Sequence, residues 1–155
     1  LKYVICKNFR LFIYGDGKLK NKLKKNIFKN QLNAKVKLMA HENNKKKIYQ
    51  DADLLVHTAL FEGLPNCIVE CINYSVPVIA CNGVGAIPEL LSNGKYGKII
   101  KNFDEREISK NIDMFIKNPK KLRKKIIKAR FKLNQFKEKQ TTRNLEKLIL
   151  KKFIY

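Results

Sequence analysis

The sequence has no tryptophan, only two histidines, and 13 acidic residues against 34 lysines and arginines. Neither histidine has a serine or cysteine partner that would predict a nucleophilic triad. The four cysteines lack the spacing of a disulfide framework, which fits a reducing compartment. No run approaches the roughly 18 apolar residues of a membrane-spanning helix. The chain opens without a secretory leader or an initiator methionine, so we expect a cytoplasmic piece of a longer protein.

The most informative absence is that of lysine and arginine from Ile48 to Gly94. All 34 basic residues lie outside this segment, and the formal net charge is +21. A segment without positive charge in so basic a protein is either buried or part of a site. The excess of lysine elsewhere indicates an anionic partner such as a membrane surface, a nucleic acid or a phosphorylated substrate, or equally an AT-biased coding sequence.

Short apolar runs alternate with helical patterns along the chain, which at 155 residues is the size of one domain. The runs predict strands at 9–14, 34–39, 53–57, 77–81 and 96–101. This alternation indicates an α/β, Rossmann-like domain, in which helices cover both faces of a parallel sheet. We assign residues 1–117 to this domain and 118–155 to basic amphipathic helices of the same domain.

Two glutamates, Glu62 and Glu70, form the centre of this segment without lysine or arginine. Glu62 follows the third predicted strand, and Pro65 begins a helix in which Glu70 lies about one turn from the start. Free backbone N–H groups at a helix start favour an anion or a hydroxyl group. A carboxylate accepts two hydrogen bonds, which suits the vicinal diols of a ribose or a hexose. The alternative is that Glu62 caps the helix and Glu70 is a solvated residue.

A second loop, Gly83–Glu89, follows the fourth predicted strand. Ligands of parallel α/β sheets bind beyond the carboxyl ends of the strands, so both loops should meet at one edge. A glycine-bearing loop that runs into a short helix can bring backbone N–H groups close to a diphosphate. The turn after the first strand, Gly15-Asp16-Gly17, should lie on the same edge.

These residues together resemble the C-terminal half of a retaining GT-B glycosyltransferase of the large glycogen-synthase-like group (family 4-like, "glycosyl transferases group 1"). The resemblance runs in register from about Phe9 to Ile100. The Glu-x7-Glu element is moderately specific, and the ordered set is strong. Its members are Gly15-Asp16-Gly17, Ala52-Asp53-Leu54, Thr58, Phe61 to Asn66, Glu70, Pro77-Val78-Ile79, Gly85 and Pro88-Glu89-Leu90.

The resemblance implies a role for each matched residue. Glu62 is the candidate catalytic residue and would contact hydroxyl groups of the donor sugar, while Glu70 would bind the ribose. The remaining donor-binding candidates are Gly63, Leu64, Gly15, Gly17, Gly85 and Glu89. Family members transfer a sugar from a UDP-, GDP- or ADP-sugar with retention of configuration. They need no metal or other cofactor, and their reaction passes through an oxocarbenium-like state stabilised by the departing diphosphate.

The chain departs from the family pattern in four respects. The N-terminal acceptor domain is absent, and so are the arginine and lysine that usually grip the diphosphate. Ala86 replaces a second glycine of the phosphate loop. Ser75 replaces the glycine that normally follows the helix of Glu70, and a left-handed conformation at a non-glycine residue costs about 1 kcal/mol.

Several other patterns carry less weight. Asp51-Ala52-Asp53 has the spacing of a metal-dependent transferase but reads better as turn residues. Cys67 and Cys71 lie on one helix face and read as small core residues rather than metal ligands. The basic tail from Pro119 carries interspersed apolar residues, which fits either contact with an anionic membrane or a stripe packed on the core. Its predicted stripe comprises Leu122, Ile126, Phe131, Leu133, Phe136, Leu145, Leu148 and Ile149.

The sequence therefore predicts a donor domain that transfers a hexose-type sugar to a glycan or lipid-linked acceptor in cell-envelope polysaccharide biosynthesis. We expect it in the cytoplasm, with a peripheral position on the inner face of the membrane left open. Two alternatives remain. One is an inactive, truncated remnant that still binds a nucleotide sugar. The other is a basic nucleic-acid-binding α/β module, a function that does not explain why the segment without lysine or arginine carries the motifs.

Overall fold

A computed structural model describes residues 1, 3–83 and 85–133. The strands within these ranges are β1 (Leu11–Tyr14), β2 (Val36–Met39), β3 (Leu55–His57), β4 (Val78–Cys81) and β5 (Lys98–Ile100). They alternate with helices α1 (Lys20–Lys29), α2 (Lys45–Tyr49), α3 (Asn66–Asn73), α4 (Ile87–Leu90), α5 (Glu105–Lys117) and α6 (Pro119–Leu133). Each predicted strand is present and begins one or two residues later than predicted, and β5 also ends one residue earlier.

All strand pairs are parallel, which confirms the predicted α/β class. The pairing is more divided than a single sheet, because β1 pairs with β2 whereas β3, β4 and β5 form a separate sheet in that order. Among the described residues, no helix is both long and apolar enough to span a bilayer.

Strand β4 is the centre of the core, and all four of its residues are buried. Val78 and Ala80 pack in one apolar cluster with side chains of α3 and α6. Ile79 and Cys81 pack in a second cluster with Ile100 of β5 and side chains of α5. Because alternate side chains of a strand point to opposite faces, helices cover both faces of this three-stranded sheet.

Helix α6 is the first part of the basic tail and belongs to the core. Ile126 and Ala129 are buried in the cluster that contains α3, and Lys125 donates to the carbonyl oxygen of Gly94 at 2.9 Å. Ile127 and Phe131 are exposed on the same helix. Residues 134–155, with the rest of the predicted apolar stripe, lie outside the described residues, so contact with a membrane stays a prediction.

Helix α1 packs less tightly than its apolar spacing predicts. None of its residues is buried, and Phe28 is 76% exposed. Strand β1 shows the same pattern, since the side chains of Phe12 and Tyr14 are exposed. The β1–α1–β2 part of the fold therefore leaves apolar surface uncovered.

The segment before β1 is attached to α5 by a buried carboxylate. Asp113 accepts hydrogen bonds from the backbone N–H groups of Ile5 (3.0 Å) and Cys6 (2.8 Å). Burial raises the pKa of Asp113, but these hydrogen bonds, together with one from the Cys6 side chain and the charge of Lys117, outweigh it and leave the pKa below its ordinary value. The ionised carboxylate therefore holds the N-terminal segment against the helix at neutral pH.

The end of α3 has the geometry expected from the departure at Ser75. Ser75 has φ 58°, the Ser75 amide donates to Ile72 at 3.1 Å, and the Val76 amide donates to Cys71 at 2.8 Å. These two bonds form a Schellman motif, in which glycine is the preferred residue at the left-handed position. Ser75 adopts this conformation although its Cβ makes it less favourable than it would be for glycine.

Replacing Ser75 with glycine should stabilise the protein. We expect Ser75→Gly to raise the free energy of unfolding by about 0.5–1 kcal/mol, because a glycine has no penalty in the left-handed conformation. The greater conformational entropy of glycine in the unfolded chain offsets part of this gain. Urea unfolding measures the change, and Ser75→Ala, which keeps the Cβ, is the control. Equal stability of the glycine and alanine variants would contradict the explanation.

Candidate functional site

The loops that follow β3 and β4 are in direct contact, as the sequence predicts. The amide of Ala86 donates to the carbonyl oxygen of Gly63 at 3.0 Å. Gly85 has φ 134°, and a Cβ there would lie 1.5 Å from the carbonyl oxygen of Glu62. A Cβ at Gly83 would lie 2.6 Å from the carbonyl oxygen of Leu60. The glycines are thus required for the loops to pack together, a role that the sequence interpretation did not assign.

Glu62 lies beside a buried histidine at the end of β3. The Nε2 of His57 is 3.7 Å from a carboxylate oxygen of Glu62. His57 is 7% exposed, and its Nδ1 has no hydrogen-bond partner among the described residues. Glu62 is not the N-cap residue of α3, since that position is taken by Pro65, which makes no side-chain capping hydrogen bond. The carboxylate is therefore half-buried but available to a ligand.

Glu70 is held by two groups from α2. The hydroxyl of Tyr49 donates to one carboxylate oxygen at 2.7 Å, and the Nζ of Lys45 lies 3.2 Å from the other. Tyr49 is buried and stacks on Tyr74 with ring centroids 5.5 Å apart. This arrangement excludes the alternative that Glu70 is a freely solvated helix residue. Each carboxylate oxygen has two acceptor positions, so a ligand hydroxyl can still bind.

Burial, and then the hydrogen bond to Glu70, raise the pKa of Tyr49. The phenol is therefore protonated at neutral pH and remains a hydrogen-bond donor. The sequence interpretation missed this role of α2. The available signal was that Lys45 and Tyr49 lie one turn apart on a helix, at the border where the segment without lysine or arginine begins.

Helix α2 also approaches the first sheet. Hydrogen bonding to Glu42 raises the pKa of Lys47, and the nearby Tyr14 at the end of β1 contributes to the same shift. The salt bridge between Lys47 and Glu42 measures 2.7 Å. One short helix thus lies between the end of β1 and the carboxylate of Glu70.

The turn at Gly15 and Gly17 forms a separate pocket of about 210 Å³. Gly15 has φ 121°, and its amide bonds to Met39 at the end of β2. The lining comes from the β1–α1–β2 part alone: Ile13, Tyr14, Gly15, Asp16, Gly17, Leu19, Lys20, Leu23 and Leu38. The structure therefore places these two candidates at a strand end but not against Glu62 or the loop of Gly85.

The other two candidates, Leu64 and Glu89, are exposed on the two loop-and-helix segments that meet at Gly85. Phe61, next to Glu62, is also exposed. These side chains border the contact between the loops rather than fill it. Five of the eight candidates, Glu62, Gly63, Leu64, Gly85 and Glu89, thus belong to one paired-loop region.

The aspartates and cysteines that the sequence did not favour as metal ligands have structural roles. Asp53 forms a salt bridge with Arg123 of α6 at 2.5 Å, and Asp51 accepts from Gln50 at 3.3 Å. Burial raises the pKa of Cys71, which keeps it a protonated core residue. In residues 3–83 and 85–133, no three histidine, cysteine, aspartate or glutamate side chains are grouped as metal ligands.

Adding a methyl group at Gly85 should disrupt the paired loops. We expect Gly85→Ala to lower the free energy of unfolding by about 2–3 kcal/mol, because its Cβ overlaps a backbone carbonyl and φ is unfavourable for alanine. Gly63→Ala is the matched control, since a Cβ at Gly63 meets nothing within 4 Å. Chemical unfolding measures the stability of both variants. A loss of stability in Gly85→Ala no larger than that in Gly63→Ala would contradict this explanation.

Comparison with known proteins agrees with this fold. The family model described as Glycosyl transferases group 1 matches residues 3–133. An uncharacterized glycosyltransferase of Methanocaldococcus jannaschii is 32% identical over 119 residues, which cover 68% of this chain and 29% of that protein. Anabaena HepE in complex with UDP has a TM-score of 0.80 at 20% identity, covering 92% of this chain and 42% of that chain.

A further solved structure is a variant of S. aureus TarM in complex with fondaparinux, alpha-GlcNAc-glycerol and UDP. Its TM-score is 0.78 at 26% identity, and the match covers 90% of this chain and 28% of that chain. The chain spans between 22% and 39% of the length of the curated relatives it matches. The chain belongs to the glycosyl transferases group 1 family and has the Rossmann-like fold of the C-terminal half of a GT-B glycosyltransferase.

Proposed function

We propose that this chain is the donor-binding half of a retaining glycosyltransferase. The enzyme transfers a hexose-type sugar from a nucleotide-diphosphate sugar to a hydroxyl group of a glycan or a lipid-linked acceptor. The observation that carries the proposal is the preformed carboxylate of Glu70, which Tyr49 and Lys45 hold at the edge where parallel α/β sheets bind ligands. The presence of UDP in the TarM complex supports UDP as the first nucleotide to test.

In this proposal the two glutamates bind different parts of the donor. Glu70 accepts hydrogen bonds from the ribose hydroxyls, and Glu62 accepts hydrogen bonds from hydroxyls of the transferred sugar. The paired loops supply backbone N–H groups towards the diphosphate. His57 borders Glu62 in this arrangement, with its Nε2 3.7 Å from that carboxylate.

The proposed reaction breaks the bond between the anomeric carbon and the diphosphate oxygen. The acceptor hydroxyl oxygen forms the new bond on the same face of the sugar, and its proton passes to the departing diphosphate. The charge of an oxocarbenium-like state is largest between these two steps, where the diphosphate stabilises it. The contribution of this chain is to bind and orient the donor, which accelerates transfer by positioning the reacting atoms.

The segment from Ile48 to Gly94 has no lysine or arginine, which makes this half dependent on cations from elsewhere. Its charged residues are all acidic: Asp51, Asp53, Glu62, Glu70 and Glu89. A diphosphate needs positive charge or helix N-termini nearby. We therefore place the main cationic contacts of the diphosphate on the other half of the enzyme, and expect only modest nucleotide affinity from this chain alone.

An inactive remnant is the second candidate. It is favoured by the lack of lysine and arginine from Ile48 to Gly94, since the nearby Lys45 already pairs with Glu70. It predicts the same nucleotide binding without transfer. A nucleic-acid-binding module is less well supported, because the preformed carboxylates at the strand ends would repel a phosphate backbone.

Calorimetric titration with UDP, GDP and ADP at about 150 mM salt should show selective binding of one nucleotide. Glu70→Ala should weaken that binding by about 1–3 kcal/mol, since ligand hydroxyls lose their acceptor. Glu62→Ala should spare the nucleotide and weaken only the corresponding nucleotide sugar. Glu105→Ala, which removes an exposed carboxylate from α5, is the control for charge.

Pyrophosphate serves as the control for bare charge attraction in these titrations. Equal, weak binding of all three nucleotides and of pyrophosphate would mean that this chain alone has no functional donor site. A Glu62→Ala variant that loses nucleotide and nucleotide sugar equally would contradict the separate roles. Selective binding that is unchanged in Glu70→Ala would remove the ribose assignment.

Removing the Tyr49 hydroxyl should test whether orientation of Glu70 matters. We expect Tyr49→Phe to weaken nucleotide binding by about 1 kcal/mol, the worth of one hydrogen bond, with the stacked ring retained. Tyr74→Phe changes the other ring of the same stack and is the matched control. The same titration measures both variants. Equal affinities would mean that Glu70 does not depend on Tyr49.

A further inference from the structure

A second pocket, the β5-edge pocket, lies along the outer edge of β5. Its volume is about 450 Å³, which falls within the range of small-molecule sites. Strand β4 stands between β5 and β3, so roughly 10 Å, or two strand spacings, separates β5 from the strand that leads to Glu62. The polar side chains of its lining belong to Asn82, Asn93, Lys98, Lys101 and Lys125.

The charged side chains of the β5-edge pocket are all basic. Lys98 belongs to β5, Lys101 follows β5, and Lys125 comes from α6, whereas no lining residue is acidic. Among the described residues, the only ion pair of these lysines joins the Nζ of Lys98 to Glu107 at 3.9 Å. No carboxylate of the described residues therefore neutralises the charge of Lys101 or Lys125.

The pocket at Gly15 shows the contrast. It contains one lysine, Lys20, and one aspartate, Asp16, which form a salt bridge with each other. Its lining consequently has no net charge, although the chain as a whole carries +21. The excess of lysine in this chain does not by itself make every pocket cationic, and the three lysines of the β5-edge pocket need a cause of their own.

Lys125 is held in position by the backbone. Its Nζ donates to the carbonyl oxygen of Gly94 at 2.9 Å and to that of Gly97 at 3.5 Å, and the side chain is half-buried. An ammonium group has three N–H donors, so one remains for a ligand. Because the group is already oriented, a ligand that binds it loses less free energy to the ordering of a long side chain.

Neutral groups complement the lysines. The amide of Asn82 donates to the carbonyl oxygen of Ile100 at 2.7 Å, so the backbone groups of Ile100 face β4. Successive backbone groups of a strand point to opposite sides, and the N–H of Ile99 therefore faces the outer edge. No strand pairs with that edge in the part of the chain that the structure describes. The side-chain amides of Asn82 and Asn93 offer both donors and acceptors, which suit hydroxyl groups.

We propose that the β5-edge pocket binds a phosphate ester whose remaining part carries hydroxyl groups. Lys101 and Lys125 bind the phosphate oxygens, together with the N–H of Ile99. Asn82 and Asn93 bind the hydroxyl groups. Two ammonium groups match the charge of a phosphate monoester, which is about −1.5 to −2 at neutral pH. The site is separate from the candidate donor residues and does not depend on the proposed transfer.

An NMR titration of the ¹⁵N-labelled chain with glycerol 3-phosphate at about 150 mM salt tests this site. We expect saturable shifts at the amides of Ile99 and Asn93, and none with glycerol alone. Lys101→Gln should weaken binding about tenfold, since one charge-assisted hydrogen bond is lost. Lys101 is exposed, so this variant tests the site even if Lys125→Gln fails to fold.

Lys124→Gln is the matched control, because this exposed residue of α6 does not line the pocket. An equal loss of affinity in Lys124→Gln and Lys101→Gln would mean general charge attraction and overturn the site. Absence of saturable shifts at Ile99 would overturn it as well. Displacement of glycerol 3-phosphate by an equimolar amount of UDP, abolished in Glu70→Ala, would make the pocket part of the donor site and overturn its separate role.

The same ligand chemistry occurs in dissolved esters and in the headgroup of phosphatidylglycerol. Flotation with phosphatidylglycerol vesicles, and with phosphatidylcholine vesicles as the control, distinguishes the two sources. Vesicle binding that Lys101→Gln reduces and Lys124→Gln spares would identify the lipid headgroup. Saturable binding of glycerol 3-phosphate with vesicle binding equal in both variants would identify a dissolved ester. If the Lys101→Gln substitution changes neither kind of binding, the proposal is wrong.

Discussion

The rest of the described structure depends on the burial of β4. Its four side chains alternate between two apolar clusters, so the strand must be covered by α3 and α6 on one face and by α5 on the other. Burial on both faces is possible only because its backbone groups are paired with β3 and β5. This pairing aligns the strand ends, and the loops that carry Glu62 and Gly85 consequently emerge side by side.

The absence of lysine and arginine from Ile48 to Gly94 has a structural cause. The segment contains β3, α3, β4 and α4 and, within the described residues, it supplies most of the buried apolar side chains. Burying a charged group without a partner is costly. The periodicity of these side chains was sufficient to predict the strands and the α/β class. The predicted strand ends also indicated that the loops would converge. The left-handed conformation of Ser75 followed instead from the family resemblance, in which a glycine normally stands at this position.

Other features could not be predicted because they depend on tertiary contacts. The hydrogen bond from Tyr49 to Glu70 joins residues of two separate helices, and the spacing of Lys45 and Tyr49 on α2 does not say which carboxylate they contact. The proximity of His57 to Glu62 depends on the path of the loop between them. Helix α1 carries apolar residues at helical spacing, yet none of its residues is buried. Periodicity reports which face is apolar, whereas exposure depends on whether another element is present to cover it.

The division of the strands into two sheets also bears on the site. Ligands of parallel α/β sheets bind beyond the carboxyl ends of the strands. Gly15 follows β1 of one sheet, whereas Glu62 follows β3 of the other, so the structure holds the candidates in two separate groups. A ligand that contacts both groups would therefore stabilise one arrangement of the two sheets relative to others, because a ligand favours the state that it binds best.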